Sequence, residues 1–312
     1  MNGLQLSEKY FFKIGLKMLQ EKFPDYINRI AAGLVGEGSE CYGFDDEISR
    51  DHDWGPGFCL WLASEDYSII GTHLQIEYDR LPKDFEGYPA RVTTPLSNQR
   101  VGIFEIYSFF KQFTGLDHLP HTLLEWQRIP EQYLAKATNG KVFLDPLGLF
   151  SKIRNDFFAY YPEDIRLKKI AARCMSAGQS GQYNFSRSLQ RKEYVAAHYA
   201  LSQFIRDSIS LIFLLNRRYK PFYKWMHRSL IDLPILGMVL YPIYENIVIS
   251  DIKNNGLGFI CHQIELISIR IIEELIKQDL SDIASDFLCD HGPIVQNKVK
   301  DSTLRALHVM AG

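Results

Sequence analysis

Two aspartates separated by one residue, Asp51 and Asp53, follow the glycine–serine turn Gly38-Ser39 within Val35–Trp54. On an extended strand, residues i and i+2 point to the same side roughly 7 Å apart, so both carboxylates would face one way. Such a pair can bridge two Mg²⁺ ions about 4 Å apart, the arrangement used in phosphoryl and nucleotidyl transfer. The glycine–serine turn would supply backbone N–H groups and a hydroxyl to phosphates. The segment therefore predicts a metal-dependent nucleoside triphosphate site.

Three apolar runs are expected to position these residues. Ile27–Val35, Asp51–Ala63 and Arg100–Tyr107 have the length and composition of strands, whereas the pattern beyond Gly148 is almost wholly helical. A chain of 312 residues is about the length at which one core divides into two. The prediction is an α+β protein, with a small mixed-sheet domain over 1–148 and an all-helical bundle over 149–312.

The segment resembles the DNA polymerase beta-like nucleotidyltransferase superfamily. The pattern of that superfamily is a strand, Gly-Ser, about a dozen residues and then Asp-x-Asp leading into another strand. Gly38, Ser39, Asp51 and Asp53 fit that pattern position by position, over about twenty residues. The fuller string GSECYGFDDEISRDHDWG looks more like the bacterial antibiotic nucleotidyltransferases and an uncharacterised branch beside them, a domain of unknown function. The resemblance implies a nucleotidyltransferase domain that uses two Mg²⁺ ions and ATP as substrate. Taken singly, an Asp-x-Asp is often solvated surface and a Gly-Ser is often a plain turn.

The superfamily usually has a third carboxylate on a neighbouring strand, and Glu105 in RVGIFEIY is the candidate for that metal ligand or general base. A charge within an apolar strand is costly unless it is paired or bound to metal. An edge-strand or salt-bridged glutamate is the alternative.

The segment Arg217–Arg228, RRYKPFYKWMHR, is the second candidate region. If Pro221 opens a helix, Lys220 and Lys224 recur at four-residue spacing on one side and bind the triphosphate, while Tyr223 stacks on a base or acceptor ring. Antibiotic nucleotidyltransferases use basic residues of their helical domain in this manner. An ordinary solvated basic helix face is the alternative.

Charge is distributed unevenly along the chain. The net charge of −2 argues against a general nucleic-acid binder, but residues 1–150 carry 14 Lys+Arg against 21 Asp+Glu, and residues 151–312 carry 21 against 16. An acidic half that holds cations and a basic half that holds phosphates would explain the split, and so would a solvated surface. The N-terminal segment is not a signal peptide, and no stretch approaches ~18 uninterrupted apolar residues, so we expect a soluble cytoplasmic protein without membrane partners.

The leading hypothesis is an enzyme that moves a nucleoside monophosphate, AMP from ATP, to a hydroxyl of a small molecule or a protein side chain. One alternative is a nucleotide-binding or regulatory protein without catalysis, although two adjacent carboxylates that repel each other without metal argue against it. A nucleotidyltransferase toxin acting on tRNA or other RNA is a further alternative. The basic stretch 152–228, with 15 Lys+Arg against 5 Asp+Glu, allows it.

Overall fold

The computed structural model describes residues 1–92, 99–250 and 256–312. The chain divides into two compact units, and neither is continuous in sequence. The first unit comprises Met1–Leu119 and Tyr133–Ala159, and the second comprises Pro120–Gln132 and Tyr160–Gly312. The sequence predicts one boundary at 148/149, whereas the structure groups 149–159 with the sheet and 120–132 with the helices.

The first unit is built on a mixed four-stranded sheet with the order β3-β2-β1-β4. Strand β1 pairs antiparallel with β2 and with β4, and β2 pairs parallel with β3. The four strands are β1 Ala31–Leu34, β2 Cys59–Leu62, β3 Gly102–Glu105 and β4 Lys141–Leu144. A small mixed sheet followed by many helices confirms the predicted α+β class.

Both faces of the sheet are covered, which explains why β2 is an uninterrupted apolar run. Leu60 packs in a core with Phe11 of the N-terminal helix and with Leu74. On the opposite face, Trp61 stacks on Phe150 with ring centroids 3.8 Å apart. Helices of this unit are α1 Gly3–Tyr10, α2 Leu16–Lys22, α3 Ser64–Asp79, α4 Ile106–Thr114 and α7 Leu149–Phe158, and α6 Glu131–Thr138 begins in the second unit and continues into the first.

The second unit is helical, and α8 is packed by α10 and α14. Its helices are α5 Leu123–Arg128, α8 Glu163–Ala177, α9 Ser186–Gln190, α10 Tyr194–Leu215, α11 Tyr223–Met226, α12 Gly237–Ile249, α13 Gly256–Lys277, α14 Leu288–Asn297 and α15 Ser302–Ala306. Within the described ranges, no helix has both the length and the apolar character needed to cross a membrane.

Candidate nucleotide site

The chain leaves β1 through a turn that requires glycine. Gly36 and Gly38 have φ values of +118° and +117°, and a Cβ on Gly38 would lie 2.4 Å from Oε2 of Glu40. Asn139 fixes the turn, since it accepts a hydrogen bond from the Gly36 N–H at 2.8 Å and donates one to the Gly36 carbonyl at 2.7 Å. The turn is therefore held in place, and its backbone lies close to a side chain where only glycine fits. A phosphate-binding loop needs the same close approach of the backbone.

Backbone donors of this turn are available to a ligand. Among the described residues, the N–H groups of Gly38 and Ser39 donate no hydrogen bond, and both residues are partly exposed. Two successive N–H groups at a glycine turn form a concave anion-binding surface. The hydroxyl of Ser39 is likewise without a described partner. The predicted phosphate contacts of Gly38 and Ser39 are compatible with this geometry and stay a prediction.

The aspartate pair does not lie on a strand, which corrects the prediction for Asp51–Ala63. Only Cys59–Leu62 is a strand, while Asp51, His52 and Asp53 lie in a loop after the 3-10 turn Ile48–Arg50. Asp53 adopts a left-handed φ of +54°, which a strand does not allow, and donates its N–H to the Val92 carbonyl at 2.8 Å. The two carboxylates therefore do not share one face of a strand.

The environments of the two carboxylates differ sharply. The side chain of Asp51 is 65% exposed, and Nδ1 of His52 lies 2.8 Å from its Oδ1 and lowers the pKa of Asp51. The side chain of Asp53 is 2% exposed, and within the described parts of the chain neither of its oxygens accepts a hydrogen bond. Its counter-ion is Arg100, whose Nη2 lies 3.1 Å from Oδ2 without hydrogen-bond alignment. A buried carboxylate with unused acceptor positions is costly unless a ligand completes its environment.

Arg91 joins the two halves of the sequence motif. Its guanidinium pairs with the buried carboxylate of Glu40 at 3.0 Å and donates to the carbonyls of Asp53 at 2.6 Å and Gly55 at 3.1 Å. The glycine turn and the aspartate loop are therefore held together through one arginine. The sequence did not predict roles for Arg91, Arg100 and Glu40. Motif spacing along the chain does not show that residues about 40 to 50 positions apart contact each other in the fold. The one available signal was the acid Glu40 beside the glycine turn.

Glu105 ends β3 and serves as the N-cap of α4. Its carboxylate accepts hydrogen bonds from the backbone N–H groups of Tyr107 and Ser108 and from the hydroxyl of Ser64 at 2.9 Å. Burial opposes ionisation, but these hydrogen bonds outweigh it and lower the pKa of Glu105. The charge within an apolar strand therefore has a structural reason, and the role of metal ligand stays a prediction.

The basic segment does not form the continuous helix that the spacing predicts. Pro221 opens no long helix, because α11 spans only Tyr223–Met226 and a 3-10 turn follows over Arg228–Asp232. Lys220 precedes the helix and lies 3.8 Å from Oε2 of Glu131. Nζ of Lys224 lies 4.8 Å from the centroid of a Trp225 ring, and Tyr223 is 72% exposed. All of these residues belong to the second unit, while Gly38, Asp51 and Asp53 belong to the first.

The donor set suits a hard divalent cation held partly by its substrate. Across the described parts of the chain, no three His, Cys, Asp or Glu side chains converge into a metal cage. Mg²⁺ is usually held by one or two carboxylates together with substrate phosphates, and the unused oxygens of Asp53 with the exposed Asp51 match that requirement. A separate cavity of about 750 Å³ is lined in part by Gln75 and Arg91, and neither aspartate lines it. Binding of a metal and of phosphates by the turn and its aspartate loop stays a prediction.

Comparisons with known proteins give limited matches. A family model described as a domain of unknown function (DUF4037) matches residues 126–226, less than half of the chain. No curated protein matches. A solved structure of a nucleotidyltransferase-like protein from Exiguobacterium sibiricum 255-15 is similar at 14% identity over 85% of this chain and 76% of that chain, with a TM-score of 0.35.

Proposed function

We propose that the first unit binds a nucleoside triphosphate with Mg²⁺ and that the protein transfers the nucleoside monophosphate, AMP from ATP, to a hydroxyl of a small molecule or a protein side chain. The proposal is based on the environment of Asp53. Its carboxylate is buried, neither oxygen accepts a hydrogen bond from the described residues, and the residue has a left-handed φ. Backbone strain and unsatisfied buried polar groups are enriched at functional sites, where a ligand completes the environment of the group.

Each group of the turn has a defined part in this proposal. The N–H groups of Gly38 and Ser39 donate to phosphate oxygens, and Arg91 neutralises Glu40 so that this carboxylate does not repel them. Asp51 and Asp53 hold the metal. When bound, Mg²⁺ supplies activation of the acceptor oxygen and charge neutralisation of the leaving pyrophosphate. Arg100 is the counter-ion of Asp53 and lies on the same side of the proposed site as the phosphates.

Glu105 enters as the predicted third carboxylate. To bind metal or take the acceptor proton, it has to exchange hydrogen bonds from α4 and Ser64 for the new partner. Its lowered pKa keeps the group ionised at neutral pH, which suits a metal ligand better than a general base. Lys220, Lys224 and Tyr223 remain predicted contacts to the triphosphate and the base.

A labelling experiment tests the transfer. The full chain is incubated with α-labelled ATP, GTP, CTP or UTP and Mg²⁺ in a nucleotide-depleted cell extract. Label is then followed into protein, RNA and small molecules. We expect Mg²⁺-dependent label from ATP in a protein or small-molecule fraction together with pyrophosphate release. Label confined to RNA would favour the toxin alternative, and the absence of label and pyrophosphate with all four nucleotides would reject transferase activity.

Nucleotide binding without turnover is the second candidate, and the ion pair of Asp53 with Arg100 favours it. A guanidinium 3.1 Å from Oδ2 already supplies a positive partner where a metal would bind. Replacing Arg100 by Gln distinguishes the two functions by fluorescence titration with a labelled ATP analogue. A binding protein loses affinity equally with and without Mg²⁺, whereas a metal enzyme keeps its Mg²⁺-dependent affinity.

A further inference from the structure

Helix α8 carries three cationic side chains that are almost fully buried. Arg166, Lys168 and Lys169 are 2%, 0% and 4% exposed. Arg166 and Lys168 each donate to three fixed acceptors, which offsets the cost of removing their charges from water. The acceptors are Glu163, Gln278 and the Leu214 carbonyl for Arg166, and Gln296 and the carbonyls of Leu307 and His308 for Lys168.

Lys169 differs from these two neighbours. Among the residues that the structure describes, its ammonium has neither a hydrogen bond nor an ion pair, and it lies 5.3 Å from the centroid of the Tyr161 ring. The hydroxyl of Tyr161 is also without a hydrogen-bond partner, although this residue is only 4% exposed. Burial raises the pKa of Tyr161 well above its usual value, so the phenol stays protonated and able to donate. Two buried donors thus lie together without an acceptor.

The charges around Lys169 are unbalanced. Glu131 lies 3.4 Å from Nη2 of Arg173 and 3.8 Å from Nζ of Lys220, and Asp207 lies 3.2 Å from Nε of Arg206. We call this set the basic cluster, and its members are Glu131, Lys169, Arg173, Arg206, Asp207 and Lys220. Four cations against two carboxylates leave two positive charges uncompensated, which equals the charge of one phosphate dianion.

We propose that the basic cluster binds a phosphate group, with the Lys169 ammonium and the Tyr161 hydroxyl as its donors. A phosphate offers several acceptor oxygens and up to two negative charges, so it satisfies both donors and both excess charges at once. Partial exposure of Arg173 and Lys220, at 19% and 15%, gives the group contact with solvent. The inference uses residues of the second unit alone, and Lys220 is the residue that it shares with the proposed transferase site.

One experiment with two ligands tests whether the cluster binds free phosphate or the phosphates of a nucleotide. Thermal unfolding and calorimetric titration of the full chain are measured with inorganic phosphate, and then with ATP, at constant ionic strength. A ligand that binds the folded state raises the melting temperature with its concentration. A rise with inorganic phosphate indicates a free-phosphate site. A rise with ATP only indicates a nucleotide phosphate at the cluster if Asp53→Asn keeps that rise and Lys169→Met reduces it. No rise with either ligand overturns the proposal.

Three variants assign the effect to the cluster. Lys169→Met should abolish the rise with inorganic phosphate, and Tyr161→Phe should weaken phosphate binding about tenfold. Lys277→Met, which removes an exposed ammonium, should leave the phosphate response unchanged. An equal response in Lys169→Met and wild type overturns the proposal.

Stability in the absence of phosphate provides a second readout. Because Lys169 has no acceptor, Lys169→Met should melt at or above the wild-type temperature in phosphate-free buffer. A lower melting temperature there would show that Lys169 already has a structural partner and would overturn the inference. Asp53→Asn should keep the full rise in melting temperature with phosphate. The phosphate test can therefore succeed even if the transferase proposal is wrong.

Discussion

Replacing Asp53 by Asn tests whether this buried carboxylate is kept for function. Asparagine has nearly the same shape and tolerates the left-handed φ of +54° that the position requires. The substitution removes only the negative charge. We expect transfer to fall at least 10³-fold, about 4 kcal/mol of transition-state free energy, because a metal ligand is lost.

Stability should change far less than activity. At an effective dielectric constant of about 20, the attraction between charges 3.1 Å apart is about 5 kcal/mol before desolvation is counted. Desolvation of the Asp53 carboxylate, which accepts no hydrogen bond, cancels much of this gain. Arg100 remains 22% exposed and keeps Glu37 at 3.9 Å, so it is not left without a counter-charge. The free energy of unfolding should therefore fall by no more than about 2 kcal/mol.

The assay compares Mg²⁺-dependent pyrophosphate release with urea unfolding for wild type, Asp53→Asn and Asp117→Asn. Asp117 is 74% exposed and pairs with Lys111, so its variant controls for loss of one surface carboxylate. Turnover by Asp53→Asn within a few fold of wild type would refute the assignment of Asp53. A comparable loss of activity in Asp117→Asn would show that the effect is not specific to the site.

Three further outcomes follow from the structure. Gly38→Ala should lower the free energy of unfolding by about 2–3 kcal/mol in urea titrations, because φ is +117° and the new Cβ would lie 2.4 Å from a Glu40 oxygen. An unchanged free energy of unfolding would show that the turn is not rigid. Burial opposes ionisation of Glu131, but the charges of Lys220 and Arg173 prevail and lower its pKa. The ionised Glu131 therefore stabilises the fold above its usual pKa of 4.5, and this stabilisation is lost as the pH falls towards the folded-state pKa. Glu131→Gln should make the free energy of unfolding fall less steeply between pH 7 and 3. Parallel plots of unfolding free energy against pH for the variant and the wild type would contradict this expectation. Finally, Mg²⁺ alone should barely shift the melting temperature while Mg²⁺ with ATP raises it, and a strong shift with Mg²⁺ alone would indicate a preformed cage.

Sequence patterns identified the elements of the first unit well. The apolar runs Ile27–Val35 and Arg100–Tyr107 contain β1 and β3, because a strand buried on both faces has to be apolar throughout. The same reasoning extended β2 too far, since an apolar pattern does not register the left-handed φ of Asp53 that keeps the loop out of the sheet. The helix predicted at Pro221 fails for a similar reason, because local spacing does not report where tertiary contacts end a helix.

By itself, the sequence determined the α+β class and predicted the glycine turn, while the pairing of that turn with two aspartates stays a prediction. Only the tertiary structure decided that Asp51 is exposed while Asp53 is buried, and that Arg91 joins the turn to the aspartate loop. It also decided that the cation of Lys169 is buried in the helical unit with no hydrogen-bond acceptor among the residues that the structure describes. The physical reason is that burial and ion pairing are long-range properties. They depend on residues that the fold brings together, whereas periodicity and motif spacing report only neighbours along the chain.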